Sequence, residues 1–137
     1  MTSPRPSERF VHPLTERYAS AEMERLFSPA FKFGTWRRIW LALAETQREL
    51  GLPVTAAQVE AIRAHLDDAD LARAAEIERE VRHDVMAHVR TLGEQAPEAA
   101  PILHLGATSA DVADNAEVLQ IREALRLVRR RLLAAIP

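Results

Sequence analysis

Apolar residues recur every three or four positions along most of the chain, which is the periodicity of helices that bury one face. Helix start and stop signals divide this pattern into separate segments. The segments predicted as helices run from Ser20 to Phe27, from near Thr35 to Leu50, from Thr55 to about Leu66, from Asp68 or Asp70 to about Leu92, and from near Thr108 to the end of the sequence. No strand-like alternation competes with this pattern, so the predicted fold class is all-α.

Individual residues indicate where several of these helices begin or end. Pro29 is expected to end the first short helix. Gly51 suits the left-handed position after a helix, and Pro53 would stop that helix. Thr55 and Gln58 match a capping box that opens the next one.

Two helices differ from the others in how their apolar residues are distributed. The helix that ends near Leu92 is apolar over much of its circumference, so we expect it to be largely enclosed. The last helix carries an apolar seam with bundle-like spacing, formed by Val118, Ile121, Leu125, Val128, Leu132 and Ala135. Because the seam is still regular where the sequence stops, we expect it to dock on something absent from this chain, which would then be a fragment or an obligate oligomer.

Composition narrows the class of protein. The 137 residues fit one domain, and 47% hydrophobic with 28% charged residues is typical of a globular chain. A net charge of -2 with dispersed basic residues gives no sign of a nucleic-acid partner. The cluster Arg129 to Arg131 suits the C-terminal part of a helix and needs no ligand.

Several kinds of site are excluded by what the chain does not contain. There is no cysteine, which rules out disulfides, thiolate nucleophiles and cysteine-based metal sites. The first residues do not form a secretory signal, and no apolar run is long enough to span a membrane. We therefore expect a cytoplasmic protein without a membrane partner.

Two polar runs interrupt the apolar pattern, residues 82–88 and 104–115. His83 and His88 lie about 140° apart around a helix, so they cannot chelate one ion together and no metal site is expected. His88 shares an apolar stripe and is interpreted as a core histidine bonded to a backbone carbonyl. His83 is either an exposed polar residue or a functional one.

Charged and hydroxyl residues around these histidines allow two interpretations each. Arg82 and Asp84 are either a structural ion pair or, since Asp84 would share the apolar face of Ile77, a means of fixing another side chain. The run 106–109 leads into a helix N-terminus and is either a simple cap or a seat for a carboxylate or phosphate. Likewise, the pair at positions 17 and 18 is either a surface pair or an anion clamp of guanidinium and phenol.

Taken together, four stretches resemble the N-terminal part of the adenylosuccinate lyase family of the fumarase/aspartase superfamily, and most closely its animal-type branch. They are residues 17–23, 33–52, 82–88 and 104–109, and they occur in the family's order. Proline and polar residues dominate residues 1–15, which are predicted to form a flexible or extended arm. The resemblance implies an N-terminal helical domain over 16–107 and the beginning of a central helical bundle over 108–137. It also implies a homotetramer.

The same resemblance implies a β-elimination in purine and AMP biosynthesis. Such enzymes release fumarate from adenylosuccinate, which gives AMP, and from the related succinyl-carboxamide ribotide, without a cofactor or metal. By resemblance, Arg17 and Tyr18 would contact the substrate phosphate. Arg82, His83 and Asp84 would belong to the nucleotide-binding strip, with His83 in the catalytic pocket.

The resemblance extends to the second polar run. Thr108 and Ser109 would contact the succinyl portion of the substrate, and His104 would be a pocket histidine. The family's general acid and base fall in later parts of its sequences, so the isolated chain is expected to be inactive. Two alternatives stay open: another lyase of the superfamily with a different succinyl or fumarate-type substrate, and a non-catalytic helical interaction module.

Overall fold

The computed structural model of the protein describes residues 12–136, and these residues form an all-α fold without a strand. This confirms the predicted fold class. None of the helices in this part of the chain is both long and apolar enough to cross a membrane. In chain order the helices are α1 Pro13–Tyr18, α2 Ala21–Leu26, α3 Pro29–Glu49, α4 Ala56–Arg63, α5 Leu71–Val81, α6 Asp84–Gln95, a 3₁₀-helix Ala100–Ile102, and α7 Ser109–Ala135.

Helix α1 begins at Pro13, inside the segment 1–15 that was predicted to be a flexible or extended arm. Residues 1–11 of that arm lie outside the described residues. Pro13 occupies the first turn of α1, and His12 Nδ1 accepts a hydrogen bond from the Leu14 N–H at 3.2 Å. Residues 13–15 are therefore helical and not extended, because proline is favoured, not excluded, at the first position of a helix.

The same property of proline explains where α3 begins. Ser20 caps α2 as predicted, with its Oγ 3.3 Å from the Met23 N–H. Pro29, however, opens α3 instead of merely ending α2, since Ser28 Oγ accepts from the Phe31 N–H at 3.2 Å. The predicted start of this helix near Thr35 is wrong by more than one turn.

Local sequence signals at the end of α3 are confirmed. Gly51 has a φ of 82°, and the Leu52 N–H donates to the Gln47 carbonyl at 3.0 Å, which closes a Schellman motif. Thr55 and Gln58 form the predicted capping box of α4. Helix α4 ends somewhat before the predicted position.

The helix predicted to run from Asp70 to about Leu92 is instead two helices. Arg82 has a left-handed backbone with a φ of 54°, and His83 is the N-cap of α6. Helices α5 and α6 pack against each other and are tied together by Arg73 and Glu94, whose two hydrogen bonds are each 2.8 Å long. The prediction failed because neither glycine nor proline marks the break, and the loop between the helices is only two residues long.

The core lies among α3, α4, α6 and the first turns of α7. Trp36 and Trp40 of α3 are both 1% exposed and dominate its volume. The other residues of the core with the least exposed side chains are Ile62, Val85, Ala87, Leu92, Ala99 and Val112. As predicted, most of the α6 circumference is enclosed.

One charged side chain is also part of this core. Arg37 is 1% exposed and bonds to the His65 carbonyl, to Asp68 Oδ1 at 2.9 Å and to Gln95 Oε1. Burial lowers the pKa of Arg37, and the charge of Asp68 opposes that shift. The guanidinium thus joins α3, the loop before α5 and the end of α6, and both of its terminal nitrogens are hydrogen-bonded, as burial favours.

Helix α7 uses a different face from its predicted seam to pack on the rest of the chain. Val112, Ala116 and Leu127 are buried against α2, α3 and α6. The seam is largely exposed along the helix, as shown by Val118 at 64% and Leu125 at 63%. Within residues 12–136, most of this seam is left uncovered.

Candidate functional site

The turn between α5 and α6 meets the start of α7 and brings the two polar runs together. His83 Nε2 lies 3.2 Å from Ser109 Oγ. His83 Nδ1 accepts a hydrogen bond from the Met86 N–H at 3.4 Å and so caps α6. With Nδ1 as an acceptor, a neutral His83 carries its proton on Nε2 and donates it towards the Ser109 hydroxyl.

The residues on either side of His83 do not form the ion pair considered from the sequence. The Arg82 side chain is exposed and has no ion pair or hydrogen bond with any other described residue. Asp84 is exposed at the first turn of α6, where its Oδ1 accepts from the Val85 N–H at 2.7 Å and lies 3.7 Å from His83 Nδ1. It does not share a face with Ile77, because the helix is broken between them.

Thr108 and Ser109 stand at the N-terminus of the longest helix. Thr108 is the N-cap of α7, and its N–H donates to Asp111 Oδ2 at 2.8 Å. The first amides of a helix lack intrahelical acceptors, and the helix dipole is positive at this end. His83 Nε2 lies beside Ser109 at this N-terminus, and the unpaired amides together with the positive end of the dipole favour an anion there.

His104 lies on the loop that leads into α7, with a left-handed φ of 60°. The indole N–H of Trp40 donates to His104 Nδ1 at 3.2 Å, and the two rings meet edge to face. Desolvation lowers the pKa of His104, Asp111 opposes this shift, and the proximity of His83 adds to it. The ring is therefore held neutral beside His83 and Asp111.

His88 is separate from this cluster. It is 5% exposed, so its assignment to the core is confirmed, but its partner is not the expected backbone carbonyl. Its ring stacks on Phe33 with 3.7 Å between centroids and meets Trp36 edge to face. Desolvation, with a contribution from the charge of Arg37, lowers the pKa of His88 to about 4.

Arg17 and Tyr18 lie at the opposite end of α7 from Ser109. Tyr18 is 76% exposed and lines a surface groove with Val128 and Leu132. At about 1.5 Å of rise per residue, Ser109 and Val128 are roughly 30 Å apart along the helix. One copy of the chain therefore does not bring Arg17 and Tyr18 to the other candidate residues.

Sequence reasoning missed three residues that support this site. Trp40 and Gln47 reach the loop from α3, the latter donating to the Leu105 carbonyl at 2.8 Å, and Asp111 holds the cap of α7. The spacing between Thr108 and Asp111 was a signal for the cap. No local pattern could have linked α3 to the loop, because those contacts depend on tertiary packing.

Comparison with curated proteins gives consistent matches to one enzyme. The chain is 47% identical over 132 residues to the adenylosuccinate lyase of Saccharomyces cerevisiae, which covers 94% of this chain and 27% of that protein. It is 46% identical over 121 residues to the adenylosuccinate lyase of Schistosoma mansoni, with 88% and 25% covered. For the adenylosuccinate lyase of Pyrococcus abyssi the identity is 40% over 123 residues, with 89% and 27% covered.

The chain thus spans about a quarter of the length of the curated relatives it matches. The resemblance noted from four short stretches is confirmed across most of the chain, with fungal and animal proteins among the relatives. No protein-family model matches the chain.

Proposed function

Since this chain is homologous to adenylosuccinate lyases over the quarter of their length that it matches, we propose that it supplies substrate-binding residues of a carbon–nitrogen lyase of this kind. The reaction is the release of fumarate from adenylosuccinate, giving AMP, and from the succinyl-carboxamide ribotide of purine biosynthesis. The observation that carries this proposal is the contact between His83 and Ser109, which joins both polar runs at the N-terminus of α7.

The arrangement suits the carboxylates of a succinyl group. Elimination beside a carboxylate builds negative charge on its oxygens, and donors already fixed in place stabilise that charge best. The Thr108 and Ser109 hydroxyls and the first amides of α7 are such donors. Because Ser109 Oγ accepts from the Nε2–H of His83, its own proton is left to donate to a ligand. Exposed Arg82 and Asp84 flank them and are proposed to contact the nucleotide.

Arg17 and Tyr18 are proposed to bind the substrate phosphate from a second copy of the chain. A single nucleotide is too short to reach across the roughly 30 Å along α7 between Ser109 and the groove at Val128. The two groups of residues can therefore act on one substrate only when copies are arranged with opposite ends of α7 adjacent. This requirement agrees with the proposed homotetramer of a cytoplasmic enzyme that needs no cofactor or metal.

Ligand-induced stabilisation tests the proposal. Adenylosuccinate and AMP should each raise the unfolding temperature of the purified chain, and Arg17→Ala should reduce the effect of AMP while leaving the unliganded unfolding temperature unchanged. An absence of any shift with either ligand would contradict the assignment.

A separate proposal concerns catalysis by the 137 residues on their own. We propose that the isolated chain binds substrate weakly and does not turn it over, because the resemblance places the general acid and base in parts of the family that do not align with it. Fumarate release by the purified chain, in a preparation shown to be free of host enzyme, would refute this.

A second candidate function is a helical interaction module. The observation in its favour is the exposed apolar seam of α7, formed by the residues Val118 to Leu132 named above. In that case the polar residues would serve only as caps, and neither nucleotide would change the thermal stability of the chain.

A further inference from the structure

We propose that Trp40 is a positioning residue that fixes His104 as the tautomer with its proton on Nε2. The indole nitrogen can only donate, and it lies 3.2 Å from His104 Nδ1. Nδ1 must then be the acceptor, so the proton of a neutral imidazole is left on Nε2. The relevance of this to catalysis rests on the proposed function and on the resemblance, which implies that His104 is a histidine of the substrate pocket.

Trp40 is well placed to impose this choice. It belongs to α3, is 1% exposed and lies in the hydrophobic core, where close packing leaves its ring no room to reorient. The His104 ring meets it edge to face at a centroid distance of 6.2 Å and an interplanar angle of 83°. The hydrogen bond therefore links a fixed donor in the core to a half-buried ring at the surface.

The loop that carries His104 is held by α3 at a second point. His104 has a φ of 60°, a left-handed backbone conformation that is unfavourable for a non-glycine residue. The next carbonyl along the chain, that of Leu105, accepts from Gln47 Nε2 at 2.8 Å. Two side chains of one helix thus oppose relaxation of the loop and determine where the imidazole lies.

The tautomer matters because it decides what His104 offers to a ligand. With Nδ1 occupied by Trp40, the ring presents Nε2–H as a hydrogen-bond donor, which suits a carboxylate or another anionic oxygen. The opposite tautomer would present a lone pair at Nε2 and repel the same oxygen. Trp40, a residue of the core, thereby determines whether His104 attracts or repels an anionic oxygen at the surface.

Nitrogen NMR of the labelled histidines in the ligand-free chain tests this directly. Trp40→Phe removes the N–H but keeps an aromatic ring, and Trp36→Phe is the matched control, since Trp36 is equally buried and its Nε1 has no hydrogen-bond partner among the described residues. We expect His104 to have an unprotonated Nδ1 in the unmodified chain and in Trp36→Phe, and a mixture of tautomers in Trp40→Phe.

The unmodified chain alone can decide the outcome if Trp40→Phe does not fold. A scalar coupling between the Trp40 indole proton and His104 Nδ1 would support the proposal, and a protonated Nδ1 would overturn it. An unchanged tautomer in a folded Trp40→Phe would overturn it as well.

Addition of fumarate separates this inference from the proposed function. A shift of the His104 Nε2–H proton on addition supports both. If the tautomer is as expected but fumarate leaves that proton unmoved, the proposed substrate contact fails while the positioning role of Trp40 stands.

Discussion

His83 and His88 lie little more than one helical turn apart in the sequence, yet they occupy opposite environments. His88 is buried against Phe33 and Trp36, has no hydrogen bond to any described residue, and is held neutral by its surroundings. The side chain of His83 is 45% exposed, caps α6 and faces Ser109 across the turn. The difference arises from the helix break at Arg82, which leaves His83 outside the core that encloses His88.

The arginines repeat this contrast. Arg37 is enclosed and bonded by three partners that join separate segments, whereas Arg82 projects from a left-handed turn with no partner among residues 12–136. Polar side chains in this protein thus fall into two groups, one that stabilises the fold and one that the fold leaves available. Substitutions in the two groups should affect different measurements.

The largest effect is expected at Arg37. Arg37→Ala would leave a cavity and remove the donors that serve the His65 carbonyl and Gln95, and we expect a loss of about 2 to 5 kcal/mol in the free energy of unfolding. Its neighbour Arg38 is the matched control, because its ion pair with Asp67 is exposed on both sides. Arg38→Ala should cost less than about 1 kcal/mol. Urea unfolding of both variants measures the difference, and equal losses would contradict the distinction.

A smaller effect is expected from pH, acting through His88. Its folded pKa of about 4 lies below the value of 6.5 for an unperturbed histidine, so the unfolded chain takes up a proton that the folded chain does not. The contribution of this residue to stability is complete above about pH 7 and is lost as the pH falls from 6.5 to 4. By linkage the loss reaches about 3 kcal/mol.

His88→Phe isolates that contribution, since phenylalanine keeps the stacking on Phe33 but cannot titrate. The difference between its free energies of unfolding at pH 7 and pH 4 should be smaller than in the unmodified chain by about that amount. The same pH dependence in both proteins would show that His88 is not buried in its neutral form.

The smallest effect on stability is expected at Ser109. Ser109→Ala removes the exposed contact with His83 and should change the free energy of unfolding by less than about 0.5 kcal/mol. Fumarate binding should weaken about tenfold, since a hydrogen bond to a charged group is lost. Calorimetric titration with fumarate measures the change in affinity. Ser20→Ala removes the cap of α2, far from the site, and is the control that should bind fumarate with the affinity of the unmodified chain.

The sequence predicted those parts of the fold whose causes are local. The caps at Ser20 and Thr55 and the left-handed Gly51 depend on residues within one turn, and all three are observed. The break at Arg82 was missed because nothing in its side chain favours a left-handed backbone. The domain boundaries at residues 16 and 108 stay predictions.

The residues of the candidate site could be predicted from the sequence, but their spatial arrangement could not. Proximity of His83 to Ser109, and the support of His104 by Trp40, depend on how α3, α6 and α7 pack. The same packing separates Tyr18 from Ser109 by most of the length of α7, which no spacing along the chain could reveal.

We propose that the turn and cap around His83, His104 and Ser109 bind the carboxylate end of a substrate, whereas His88 only packs in the core. NMR titration of the histidine ring signals with fumarate tests it within one sample. We expect the signals of His83 and His104 to shift in a saturable way and those of His88 to stay unchanged. Unmoved His83 and His104 signals at high fumarate concentration, or a shift confined to His88, would contradict it.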